Sequence, residues 1–257
     1  MSRGLLAHFL LIFKLSTTLN LKNELPTCTI KVRHSLSHFA NKINNLNELW
    51  DFVGKEESAD KSRLAIPVEF SKALYTIDIG QNDISVASRM LPKMEQVGAI
   101  IPDIINQFAA QLRDLYKKGA RNLWIHNAGP IGCLPVATIK IKDPTAGYLD
   151  EHGCVKDMND TAILFNKQLF HTLTKLRIEL QQAAITYVDL YKAKYELISN
   201  AKNQGFEEAS KICCGVHENG EDVWCGNKKR LNNGTEVYAG SCNNPSTIIS
   251  WDGCPLY

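Results

Sequence analysis

No run of about 18 consecutive apolar residues occurs in this 257-residue chain, so the body carries no segment long enough to span a bilayer as a helix. A dominant charge is equally lacking. Lys and Arg total 29 against 27 Asp and Glu, a formal net charge of +2, which supplies no field to gather nucleic acid or an anionic membrane. There is no internal repeat or low-complexity tract, which excludes solenoids and disordered arrays. There is also no C-x₂-C pair. The group Cys213, Cys214, His217, Cys225 and Cys242 could in principle hold zinc, but two adjacent cysteines close poorly on one tetrahedral ion. Disulfides are therefore expected there, and no metal or cofactor. A Gly-x-Ser-x-Gly nucleophile elbow is absent as well.

What is present describes a folded domain: 44% hydrophobic and 22% charged residues, with length enough for one large α/β unit or two small ones. Eight cysteines stand at Cys28, Cys133, Cys154, Cys213, Cys214, Cys225, Cys242 and Cys254, mostly in Gly- and Asn-rich sequence of the second half. That usage suits an oxidising compartment and predicts a secreted protein. Two sequons agree with it, making Asn159 and Asn233 candidate glycosylation sites. At the N-terminus, residues 5–15 follow Arg3 like a signal h-region. His8 and Lys14 interrupt them and no clean small-x-small site follows, so the signal peptide stays open.

From residue 73 onward strands and helices alternate. Short apolar runs at 73–79, 122–125 and 184–190 read as strands. Between the first two, Ile101, Ile104, Ile105, Phe108, Leu112 and Leu115 recur at helical spacing, with Pro102 suited to a first turn and Gly119 to a C-terminal cap. A second helix is predicted over 155–182 and a third over 191–203, stopping near Gly205. Such β-α-β alternation implies a parallel sheet with its ligand site outside the carboxyl ends of the strands. The segment from 206 to the end lacks periodicity and reads as a disulfide-stapled surface loop region.

Chemistry is therefore sought where strands end. The first strand ends in Asp78-Ile79-Gly80-Gln81-Asn82-Asp83, where an Asn side chain can donate to an oxyanion and a glycine allows close approach. By itself such a turn more often bonds its own backbone. Ser85 just beyond it reads as a helix cap. The second strand runs into His126-Asn127-Ala128-Gly129-Pro130-Ile131-Gly132-Cys133-Leu134-Pro135. Further on stand Cys213-Cys214-Gly215 and Ser250-Trp251-Asp252-Gly253. In that order the four blocks resemble the plant-type GDSL esterase/lipase family of SGNH hydrolases, over about residues 60–253. The resemblance implies an α/β, three-layer α/β/α flavodoxin-like fold and hydrolysis of small-molecule or lipid carboxylic esters through an acyl-enzyme.

It also implies roles. Asn82, with Gly80 opening its block, matches the oxyanion-hole residues, and Asp252 matches the acid that orients the catalytic His three positions on. At that third position stands Pro255, and no Gly-Asp-Ser nucleophile block occurs in the 257 residues. The expectation is a partial GDSL/SGNH domain over 61–257 behind an unmatched segment 1–60, without the first strand unit and C-terminal helix, and catalytically incomplete. A secreted, non-catalytic lipid- or carbohydrate-binding protein is the alternative. His126 is a conceivable base but more simply a residue bonded to loop carbonyls. Residues 5–13, if retained, could occupy the vacant strand position, but the expectation is a half-sheet with unpaired amides and low solubility of the chain expressed alone. Cys133 is expected to pair with Cys154, and Cys213 and Cys214 with Cys225 and Cys242 in an order left open, with Cys28 and Cys254 over.

Overall fold

The computed structural model describes residues 10–13, 71–91, 93–139, 141–207, 209–218 and 221–253. Segment 14–70, Cys28, Cys254 and Pro255 lie outside the described residues, and with them the expectations placed on 1–60 and on the position after Asp252.

Four parallel strands form the central sheet in the order β1 (Leu10–Phe13), β2 (Leu74–Asp78), β3 (Asn122–His126) and β4 (Ala184–Val188). The place beside β2 is thus taken by Leu10–Phe13, in register from Leu10 opposite Leu74 to Phe13 opposite Ile77. The described crossovers, from β2 to β3 and from β3 to β4, each step one strand in the same direction, so right-handed connections carry their helices to a single face. Helices α1 (Gln81–Met90) and α2 (Met94–Lys117) follow β2, while α3 (Pro135–Thr138) and α4 (Lys156–Glu179) follow β3. The two long helices α2 and α4 pack against one another over the sheet.

The pleat explains which residues are buried. Tyr75 and Ile77 of β2, Leu123 and Ile125 of β3 and Ile185 of β4 point to the helical face and join one core with Ile101, Phe108, Leu112, Phe165, Leu169 and Leu173. Burying each such side chain stabilises the fold by about 1.5–3 kcal/mol. Residues of the alternate parity face the other way, and among them Trp124 is 44% exposed. The fold class is α/β, as the sequence implies, and among the described residues both long helices lie on one side of the sheet.

Two sequence expectations shift. Helix α2 begins at Met94 rather than near Ile101, so Pro102 lies inside it instead of in its first turn. A proline there has no N–H to give to the Gly98 carbonyl, so the helical ladder loses one bond at that point. Ser85 lies within α1, which starts at Gln81 behind an N-cap at Gly80, so it does not cap the helix. Its N-terminal turn was hidden because glycine carries no side-chain capping signal.

After β4 comes α5 (Leu190–Ser199), N-capped by Asp189, whose carboxylate accepts from the Lys192 N–H at 3.0 Å. The region expected to be irregular loop contains two antiparallel hairpins, β5 (Gly215–Glu218) with β6 (Glu221–Trp224), and β7 (Lys228–Arg230) with β8 (Glu236–Tyr238). Strands of three or four residues are too short to display an alternating pattern.

Candidate active site

The carboxyl ends of β2 and β3 meet where sheet registry sets Asp78 opposite His126. Just beyond β2 the chain turns at Gly80 with φ of 101°, a conformation that disfavours any residue with a Cβ. Space excludes a Cβ independently. One built on Gly80 would lie 2.2 Å from the Phe165 ring, itself fully buried in α4. The tight turn lets α1 start at once, with the Ile84 N–H donating to the Gly80 carbonyl at 3.0 Å. Asn82 is therefore the second residue of α1, half-buried beside a helix N-terminus whose first N–H groups lack intrahelical acceptors. A side-chain amide together with those N–H groups can stabilise negative charge developing on a carbonyl oxygen.

The second wall is the loop after β3, and three buried asparagines shape it. Asn166 of α4 donates through Nδ2 to the Ala128 carbonyl and accepts from the Ala128 N–H, both at 2.8 Å. Asn159, two turns earlier on the same helix, accepts from the Gly132 N–H at 2.9 Å and donates to Cys133 Sγ at 3.4 Å. Asn127 donates to Tyr187 Oη and to Asp189 Oδ1, both at 2.8 Å, and accepts from the Tyr191 N–H at 2.9 Å. Irregular backbone can be buried here because these amides satisfy it. Gly132 is required for a steric reason: a Cβ there would stand 2.1 Å from the Val155 carbonyl oxygen. The Cys133–Cys154 disulfide fastens the same loop to the start of α4.

Charges gather at this edge. Asp78 has its carboxyl pushed above the usual carboxylate range, chiefly by burial, with Lys194 of α5 and His126 pulling the other way. Lys194 is pushed below the ordinary lysine range, again chiefly by burial, with Asp78 opposing. For both partners burial outweighs their mutual attraction. Lys194 lies against the loop tip: a Cβ on Gly129 would be 3.8 Å from its Nζ and 3.9 Å from Oε1 of Gln81, the residue between Gly80 and Asn82. The β2 turn, the β3 loop and α5 thus converge on one spot.

Asp252 reaches this end of the sheet on a separate segment. The Gly253 carbonyl accepts from the Val136 N–H at 3.3 Å, while Ser250 and Trp251 carbonyls accept from the N–H groups of Cys213 and Cys214. Disulfides Cys213–Cys242 and Cys214–Cys225 secure that platform and settle the pairing order left open by the sequence. With the four thiols so committed, the zinc reading falls. His217 contacts Asp222 at 2.9 Å between Nδ1 and Oδ1 and sits edge-on to Trp224, within the β5–β6 hairpin.

One expectation is corrected outright. Asn159 is only 4% exposed and its amide is engaged inside the fold, so it cannot carry a glycan in the folded protein. Asn233 stands exposed at the β7–β8 turn, where its Oδ1 accepts from the Thr235 N–H at 2.9 Å. Sequence reasoning missed the structural asparagines, yet a signal existed. Asn159, Ala162, Asn166, Leu169, Leu173 and Leu176 follow alternating steps of three and four along α4, so two amides occupy positions where the stripe calls for apolar residues. Lys194 gave no comparable signal, since α5 buries none of its residues fully.

With this geometry in place, similarity to known proteins is informative. The model of the GDSL-like lipase/acylhydrolase family matches residues 16–254. The GDSL esterase/lipase At5g14450 of Arabidopsis thaliana is 53% identical over 194 residues, 76% of this chain and 49% of the relative. The GDSL esterase/lipase ENOD8 of Medicago truncatula is 46% identical over 191 residues, 73% of this chain and 49% of the relative. A protein named alpha-L-fucosidase 3, also of Arabidopsis thaliana, is 41% identical over 197 residues, 75% of this chain and 52% of the relative. The chain spans about half the length of the curated relatives it matches.

Proposed function

This chain belongs to the GDSL-like lipase/acylhydrolase family, and from that membership we propose that its site serves the hydrolysis of carboxylic esters of small molecules or lipids. The observation that carries the reading is the Gly80 turn, which delivers Asn82 and the N-terminus of α1 to the carboxyl edge of β2. In the proposed chemistry Asn82 and the N–H groups beside Gly80 receive the carbonyl oxygen of the ester as it becomes an oxyanion. Asp252 is the acid that orients and charge-balances an imidazole base. The nucleophilic Ser of the family's Gly-Asp-Ser block has no counterpart among the 257 residues, and Pro255 stands where the base is expected. We therefore read this chain as holding the oxyanion and acid side of the site.

Removing a nucleophile or its base typically lowers turnover by about 10⁴–10⁶-fold. The purified chain is accordingly expected to hydrolyse short-chain p-nitrophenyl esters near the background rate. Turnover of about 1–1000 s⁻¹ that falls 10²–10³-fold in Asn82→Ala would overturn the incompleteness while upholding the ester reading. Transcript sequencing across both ends tests the same point, and a Gly-Asp-Ser upstream with a His after Asp252 would restore the full triad. Stabilisation by acylated lipids or saccharides in a thermal shift screen, without hydrolysis, would favour non-catalytic binding. Turnover of p-nitrophenyl α-L-fucoside in place of the esters would replace the ester reading with the activity that the third relative's name carries.

Secretion is proposed with it, supported by three disulfides and the exposed Asn233 sequon. Expressed in a secreting eukaryotic cell, the chain is expected to lose one N-glycan's mass on enzymatic deglycosylation, and Asn233→Gln to abolish that shift. A shift retained in Asn233→Gln would contradict the assignment.

A further inference from the structure

On the outer surface of the helical layer, α2 and α4 leave a groove of about 360 Å³ between them, within the size range of small-ligand sites. Its apolar part comes from Pro102, Ile105 and Leu164, and on α4 Lys167 and His171 stand one turn apart at its rim. Pro102 contributes to the opening because a proline within α2 presents a compact ring and no N–H. Lys167 is exposed, as is His171, and among the described residues neither has a hydrogen-bond or ion-pair partner. Lys167 follows Asn166 directly, but Asn166 turns inward to Ala128 while Lys167 is exposed, so the groove lies on the solvent side of α4 and uses none of the residues that hold the β3 loop. Leu164, 40% exposed, and the exposed Pro102 ring beside an unpaired ammonium form a surface with one apolar end and one cationic end.

We propose that this groove is a binding site for a small anionic amphiphile, a carboxylate on an alkyl chain, held by Lys167 and His171 at its head and by Leu164 and Pro102 along its chain. The ammonium and imidazole N–H groups donate to the carboxylate oxygens in charge-assisted hydrogen bonds. The alkyl chain covers apolar surface that water otherwise wets, so affinity grows with chain length by about fourfold per buried CH₂. The assignment stands independently of the ester-hydrolysis reading, because it uses residues that reading does not.

The test titrates the full 15N-labelled chain with sodium butyrate, octanoate and decanoate below micelle formation, with decyltrimethylammonium as the charge-reversed probe. Saturable shifts confined to residues of α2 and α4 are expected, tighter from butyrate to decanoate and about tenfold weaker in Lys167→Glu. Leu164→Asn, at a position 40% exposed and so tolerant of change, is expected to flatten the chain-length dependence without abolishing head-group binding. Equal binding of the cationic probe, affinity unchanged in Lys167→Glu, or shifts scattered over the surface would overturn the proposal. Binding to vesicles of phosphatidylcholine with phosphatidylglycerol but to no monomeric carboxylate would overturn it in favour of a lipid surface.

Discussion

Gly80→Ala is expected to lower the unfolding free energy by about 2–5 kcal/mol, on the order of 10 °C in Tm. Two costs combine. A Cβ at φ of 101° is disfavoured by about 1–2 kcal/mol, and overpacking a filled core adds about 1–3 kcal/mol. The second applies because the new methyl would fall 2.2 Å from Phe165, whose ring is fully buried in a close-packed core. Gly147→Ala separates the two. Gly147 also has positive φ, 81°, but nothing lies within 4 Å of its Cβ position, so it should show the backbone cost alone. Chemical denaturation of the three proteins measures the difference. If Gly80→Ala costs no more than Gly147→Ala, the contact with Phe165 is not what demands a glycine before Asn82.

Asn166→Ala is expected to cost about 2–5 kcal/mol, although it removes one small side chain from an otherwise apolar stripe. The loss falls on its partners. The Ala128 N–H and carbonyl are both buried and both bonded to this amide at 2.8 Å, and each buried group left unsatisfied costs about 1–3 kcal/mol. Asn166→Asp is the sharper probe. The carboxylate keeps an acceptor for the Ala128 N–H but cannot donate to the Ala128 carbonyl, and its charge is buried. Burial raises its folded-state pKa above the unfolded value, so the folded state binds the extra proton more tightly. The variant should therefore recover stability relative to the native chain as pH falls through that raised pKa and lose it again as pH rises. Urea unfolding at pH 7 and near pH 4 measures this, and a penalty independent of pH would show that the loop does not depend on the donated bond.

Both changes act on the frame around Asn82 rather than on Asn82 itself, and that frame was legible in the sequence only in part. The strands at 74–78, 122–126 and 184–188 could be placed from short apolar runs, because burial on the helical face imposes a local composition. The helix over Lys156–Glu179 declared itself by its spacing for the same reason. The Gly80–Asn82 and Asp252 blocks stood out through the resemblance of the ordered blocks to the GDSL family, since the turn by itself reads as an ordinary one, and the expected pairing of Cys133 with Cys154 is present.

Other features depend on partners distant in sequence. Asn159 looked like a glycan acceptor because a sequon is three residues of local pattern, whereas its burial is set by Gly132, 27 positions away. The start of α2 at Met94, the division of Cys213 and Cys214 between Cys242 and Cys225, and the β5–β8 hairpins likewise rest on long-range contacts among short segments. Asp78 and Lys194 lie 116 positions apart and belong to different elements, so no spacing rule links them.

By itself, then, the sequence determined the α/β class, the family and the blocks around Asn82 and Asp252 that the proposal rests on, since each of these is written in local pattern or in ordered blocks. The tertiary structure alone decided that Leu10–Phe13 joins the sheet, that asparagines hold the β3 loop from within the core, and that α5 brings Lys194 to the turn after β2. The division has one physical cause: periodicity records which way a side chain faces, while a hydrogen bond or a buried charge depends on what the fold places opposite it.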